Sequence, residues 1–116
     1  MSARLRQRFS GIAPWAGLIA AGVGFALHHQ VVSNALHFDC NATIDGTGVL
    51  WGVLAAVIIV VGGIVSWRAR PAGDPPPAAT SMRRFISDLS LMAATLAFLG
   101  VVLLLLAGVI MPGCRP

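Results

Sequence analysis

Hydrophobic and polar positions divide the chain into three long apolar stretches separated by two short polar segments. The apolar stretches cover about residues 12–36, 48–67 and 85–111. A helix rises about 1.5 Å per residue, so about 20 residues cross a hydrocarbon core of about 30 Å. The second stretch is rich in Val, Ile and Gly, and its β-branched residues favour strands in water. In lipid each segment must bond its own backbone groups, which favours helix. The pattern predicts an all-α membrane protein, one membrane domain over 1–116 with three transmembrane helices.

The first stretch is the least uniform, because His28-His29-Gln30 interrupts it. One interpretation is a retained transmembrane helix whose outer third is polar. The other is a secretory signal peptide with a basic start, an apolar centre and a small-x-small cleavage site at Gly24-Phe25-Ala26. The apolar pattern resumes after the histidines with Val31-Val32, so we favour the retained helix.

Charge is scarce and confined to the ends of the apolar stretches. The chain is 57% hydrophobic and 10% charged, which is typical of membrane proteins. The cationic side chains before the first stretch and between the second and third are Arg4, Arg6, Arg8, Arg68, Arg70, Arg83 and Arg84. Only Arg115 lies on the opposite side. The positive-inside rule therefore predicts a cytoplasmic N-terminus, a Pro-rich cytoplasmic linker at 71–80 and a periplasmic C-terminus, in the inner membrane of a bacterium.

The net charge of +4 does not indicate nucleic-acid binding, because the arginines occupy positions that encode membrane topology. The surroundings that the sequence predicts for the protein are membrane lipids and other membrane-protein subunits.

All three histidines lie at the outer end of the first stretch. His28, His29 and His37 are followed by Asp39 and Cys40. Imidazole and thiolate ligate copper, haem iron and zinc, so His28, His29, His37 and Cys40 form a candidate metal site for copper or haem. The sequence lacks the established spacings of metal and haem motifs. We therefore favour a site without cofactor, whose side chains bond a neighbouring helix or mark the membrane surface.

Four further polar side chains lie within or beside the predicted spans: Gln30, Ser33, Asn34 and Asp88. Gln30 and Asn34 share a helix face, and polar groups at this depth also suit a proton or quinone-related role. Asp88 lies in the first turn of the third helix, where a carboxylate offsets the positive helix end. Arg84, four residues earlier, is its candidate partner, and Ser81 is the predicted N-cap.

The two cysteines fall on the same side of the predicted membrane. Cys40 lies in the first outer loop and Cys114 in the outer tail. A disulfide between them is one expectation in an oxidising compartment, and free thiols or a shared metal site are the alternatives.

Small residues recur every four positions in two of the predicted helices. Ala16, Ala20 and Gly24 form one such face. Gly48, Gly52 and Ala56 form the other. Faces of this kind let helix backbones approach closely. Three helices have few surfaces to fill, so these faces predict association with another copy or a larger complex.

The chain resembles short bacterial membrane proteins associated with haem-copper terminal oxidases. The resemblance is carried by His28-His29-Gln30, Phe38-Asp39-Cys40 and the closing Pro112-Gly113-Cys114. It implies an accessory or assembly role beside an oxidase. Because no catalytic spacing is present, we expect a non-enzymatic accessory or assembly subunit of a larger membrane complex, with a respiratory complex as one candidate. The alternatives are a metal- or haem-binding redox protein and a small transport component that uses Asp88.

Overall fold

The computed structural model describes residues 2–38, 46–71 and 78–110, and nearly all of them are helical. The elements are helix α1 (Ala3–Ile12), a 3-10 turn (Ala13–Trp15), and helices α2 (Ala16–Phe38), α3 (Thr47–Arg68) and α4 (Ala78–Ile110). No strand occurs within these three ranges. Three helical segments are long and apolar enough to cross a membrane: Ala3–Ala35, which includes α1 and most of α2, Thr47–Arg68 and Thr80–Ile110. The chain is therefore an all-α, multi-pass membrane protein, which confirms the prediction from the hydrophobic pattern.

The last helix begins earlier than the apolar stretch suggests. α4 starts at Ala78, so residues 78–80, which the sequence places in the Pro-rich linker, are helical. Ser81 is consequently an internal residue of α4 and not its N-cap, and its hydroxyl donates to the Ala78 carbonyl at 2.9 Å. The reason is local, since alanines follow directly after the last proline and favour helix.

The three long helices form a bundle in which each contacts the other two. We call its two ends the basic end, where Arg68, Arg70 and Arg83 lie, and the histidine end, where α3 begins and α4 ends. The buried positions of α3 alternate three and four residues apart, the spacing of knobs-into-holes seams. These positions are Gly52, Ala55, Ile59, Gly62 and Ser66.

Small residues bring the backbones of α2 and α3 into direct contact. Gly62 faces Ala16 and Ala20, and a Cβ atom added to it would lie 2.8 Å from the Ala16 carbonyl oxygen. Gly24 faces Ile59, whose Cγ1 would lie 2.7 Å from an added Cβ. The predicted face of Ala16, Ala20 and Gly24 thus packs against α3 of the same chain.

Two members of the second small-residue face, Gly52 and Ala56, also pack against residues of this chain. Gly52 packs against Leu105 of α4, and Ala56 packs against the buried core of Ala55, Ile59 and Val101. These small residues therefore pack within the chain, and association with another copy or a larger complex stays a prediction. Their spacing indicated close helix approach correctly, but it could not show that the approaching helices belong to the same chain.

Gly62 and Gly63 provide a matched test of this packing. G62A should lower the free energy of unfolding by about 1–3 kcal/mol, because the added methyl meets Ala20 and the Ala16 carbonyl. G63A adds a methyl at an ordinary 3.6 Å from the Ala94 Cβ, so it should be neutral or slightly stabilising. Reversible unfolding in mixed micelles measures both. Equal stability of the two variants would contradict the packing of α2 on α3.

Candidate functional site

The structure separates the histidines that the sequence grouped together. His28 is only 3% exposed, whereas His29 and His37 are exposed. His29 stacks against Phe25 with ring centroids 6.2 Å apart, and His37 meets Phe38 edge-on. Consecutive helical residues point about 100° apart, and on α2 this rotation buries His28 and leaves His29 exposed.

The three histidines of the predicted metal site do not form a ligand group with one another. Among the described residues, no three His, Cys, Asp or Glu side chains lie close enough to hold a metal ion. Cys40, the fourth proposed ligand, lies outside the described residues, as do Asp39 and Cys114. Binding of copper or haem, and the Cys40–Cys114 disulfide, stay predictions.

His28 adjoins a small cavity at the histidine end. The cavity has a volume of about 30 Å³ and is lined by His28, Val32, Gly48, Val49, Leu104, Leu105, Gly108 and Val109. Since α3 begins at Thr47 and α4 ends at Ile110, the cavity lies between the first turn of one helix and the last turn of the other. Amides in a first turn and carbonyls in a last turn lack partners within their own helix.

The imidazole of His28 has a buried nitrogen, Nδ1, without a hydrogen-bond partner in the described protein. A cavity of this volume holds about one water molecule, which forms two to four hydrogen bonds when its surroundings are polar enough. His28 therefore combines an unpartnered buried nitrogen with a position beside a cavity of about the volume of one water molecule.

Gln30, Ser33 and Asn34 do not join His28 inside the bundle. All three are exposed on the outside of α2 near the histidine end. Their positions fit side chains at a membrane surface or facing another molecule, rather than bonds between the helices of this chain.

A second polar layer, formed by three serines, lies at the basic end. Ser66, Ser87 and Ser90 are completely buried. Ser66 and Ser90 lie against Gly17, where an added Cβ would lie 2.8 Å from the Ser90 carbonyl oxygen and 3.0 Å from the Ser66 Oγ. The hydroxyls of Ser87 and Ser90 have no hydrogen-bond partner in the described protein. Sequence reasoning missed this layer, although Ser66 continues the three-four spacing of the α3 seam.

Ser66 forms hydrogen bonds with backbone groups at the 3-10 turn between α1 and α2. The Gly17 amide donates to the Ser66 Oγ at 2.7 Å, and that hydroxyl donates to the Pro14 carbonyl at 3.1 Å. The Ala13 carbonyl lies 3.3 Å from the same oxygen. Proline has no amide hydrogen and disturbs regular helix, so one serine of α3 satisfies backbone groups of α2.

Asp88 is held in an ion pair at the basic end. Its Oδ1 lies 3.0 Å from Arg70 Nε, and Arg70 Nη2 donates to Oδ2 at 3.4 Å. The two side chains are 38% and 43% exposed, and such pairs typically contribute about 0–1 kcal/mol. Arg83 Nε also donates to the Ala69 carbonyl at 3.2 Å. These contacts join the end of α3 to the start of α4, a structural role for Asp88.

Removal of the Ser66 hydroxyl tests how much its hydrogen bond with the Gly17 amide stabilises the protein. S66A should lower the free energy of unfolding by about 1–2 kcal/mol, because the Gly17 amide loses its acceptor in a buried site. T95A is the control, since the Thr95 hydroxyl bonds only the Leu91 carbonyl of its own helix at an exposed position. Unfolding in mixed micelles compares them. An S66A variant as stable as T95A would show that the bond to Gly17 contributes nothing.

The adjacent histidines allow a similar comparison at the other end. H28A should cost on the order of 2 kcal/mol of unfolding free energy, because it enlarges a cavity among buried side chains. H29A removes an exposed ring and should change stability by less than about 0.5 kcal/mol. Thermal unfolding of the detergent-solubilised protein measures both. A greater loss in H29A would reverse the assigned orientation of α2.

The chain was also compared with protein-family models, curated proteins and solved structures. None of these comparisons found a match. The resemblance to proteins associated with haem-copper oxidases therefore stays a prediction, carried by the residues that suggested it.

Proposed function

We propose that the protein is a non-catalytic accessory subunit of a larger membrane complex and docks on its partner through an apolar groove between α3 and α4. The groove has a volume of about 280 Å³ near the basic end and is lined by Ile59, Val60, Gly63, Ile64, Trp67, Leu91, Ala94, Thr95 and Phe98. This groove is the observation that carries the proposal.

The groove continues toward the histidine end. A second depression of about 290 Å³ shares Val60 and Phe98 with the first and extends to Val53 and Leu105. Both depressions are lined almost wholly by apolar side chains, so together they follow α3 and α4 along most of the apolar span. An elongated depression of this kind suits a transmembrane helix of a partner subunit.

The composition of the groove favours a helix over lipid chains alone. Gly63 and Ala94 are small residues on its lining, while Trp67 and Phe98 supply large rigid surfaces. Helices in a bilayer associate through close packing at small residues, and aromatic side chains are enriched where proteins meet. The Thr95 hydroxyl already bonds its own helix, so the groove presents almost no unsatisfied polar group.

The remaining parts of the proposal rest on the sequence. The arginine distribution supports a cytoplasmic basic end and a periplasmic histidine end in a bacterial inner membrane. The resemblance supports a respiratory complex as the partner.

Two glycines, the half-buried Gly63 in the groove and the exposed Gly22 on α2, supply a paired test of docking. G63L should fill the groove and abolish co-purification of the partner after mild detergent extraction, while the bundle stays folded. G22L adds the same side chain on α2, where an added Cβ meets nothing within 4 Å, and should keep the partner. Native mass spectrometry of both preparations counts the bound subunits.

The comparison also identifies failure of the proposal. A lone monomer in the unmodified preparation would remove the support for a larger complex. Equal retention of a partner by G63L and G22L would show that the groove is not the docking surface. Circular dichroism of each variant establishes that the helices are intact.

A further inference from the structure

α1 carries an apolar stripe that the bundle does not cover. Leu5, Phe9 and Ile12 recur at four- and three-residue intervals, which places them on one helix face. They are 49%, 65% and 57% exposed, respectively, and no residue of α1 is buried.

The rest of α1 is polar and carries only positive charge. Its cations are Arg4, Arg6 and Arg8, and no acidic residue precedes Asp39 in the chain. Gln7 lies opposite the apolar stripe, and its carbonyl accepts a hydrogen bond from the Ser10 hydroxyl at 2.7 Å. A short helix with an apolar stripe and a basic remainder is typical of segments that lie in a membrane interface.

The first helical segment, Ala3–Ala35, is longer than one membrane crossing needs, so α1 can lie outside the hydrocarbon core. α2 has 23 residues, and at about 1.5 Å per residue it reaches about 35 Å, enough to cross the hydrocarbon core alone. The 3-10 turn with Pro14 separates α1 from α2, and Trp15 beside it is exposed, as is typical of side chains at the headgroup level.

We propose that α1 lies along the bilayer surface and binds the headgroups of anionic phospholipids. Leu5, Phe9 and Ile12 enter the acyl boundary, and the arginines contact lipid phosphates. The occupant is a lipid surface because the charges of α1 are of one sign and α2 anchors it beside the headgroups. This inference is independent of the proposed docking groove.

Two labelling positions distinguish the faces of α1. The full chain, with Cys40→Ser and Cys114→Ser, carries a nitroxide at F9C or at Q7C. Each variant is reconstituted in phosphatidylcholine vesicles with or without phosphatidylglycerol. Collisions with oxygen report lipid exposure, and collisions with a water-soluble nickel complex report water exposure. With phosphatidylglycerol, the F9C label should be shielded from nickel and the Q7C label accessible.

The charge requirement has its own variant. Replacing Arg4, Arg6 and Arg8 by Gln should lower the ratio of membrane-bound to free α1 on the order of a hundredfold, since each cation near an anionic surface contributes roughly fivefold. The F9C label should then become accessible to nickel, as it should in phosphatidylcholine alone. Because α1 buries no residue, these changes leave the bundle contacts in place.

Hydrogen exchange of the unmodified chain supplies a measurement that needs no cysteine replacement. The amides of α1 should exchange more slowly in vesicles containing phosphatidylglycerol than in phosphatidylcholine. Equal nickel access at F9C and Q7C would place α1 in water and overturn the proposal. If nickel shielding and amide exchange rates change neither with phosphatidylglycerol nor with the arginine replacements, anionic phospholipid is not the ligand of α1.

Discussion

Backbone contact between α2 and α3 is the constraint on which the rest of the bundle depends. Lipid chains are as apolar as leucine, so helices in a bilayer associate through close packing and hydrogen bonds. Gly62 lies against Ala16 and Ala20, and Gly24 lies against Ile59. Only at this separation can the Ser66 hydroxyl on α3 reach the Gly17 amide on α2. The polar contacts between α2 and α3 therefore require the close approach that the small residues allow.

The seam places its polar groups at the two ends of the bundle and leaves the middle apolar. The serine layer lies at the basic end, His28 lies at the histidine end, and Ile59 and Val101 are the largest fully buried side chains. Asp88 pairs with Arg70 at the partly exposed basic end. Within the described residues, this arrangement favours a rigid structural subunit over a conduit, which needs polar groups along its path.

The surface of the bundle has two regions with different physical character. The groove beside Gly63 is apolar along its length, so its binding energy depends on packing. α1 combines Phe9 and its neighbours with three arginines, so its binding depends on charge and responds to salt and lipid composition. A protein with both surfaces can be held by a partner within the bilayer and by lipid headgroups at its edge.

The sequence by itself determined the three spans, because length and hydropathy are properties of each segment taken alone. The four-residue spacing of Gly48, Gly52 and Ala56 indicated close helix approach, but the buried seam of α3 shares only Gly52 with that face, because its spacing alternates between three and four. Only tertiary structure decided that His28 faces inward and His29 outward, because neighbouring helices fix the rotation of α2. The same is true of the Arg70–Asp88 pair, whose partners lie on different helices. Spacing within one segment indicates which residues share a face, but the face becomes a core, a site or a lipid surface only when another helix covers it or leaves it free.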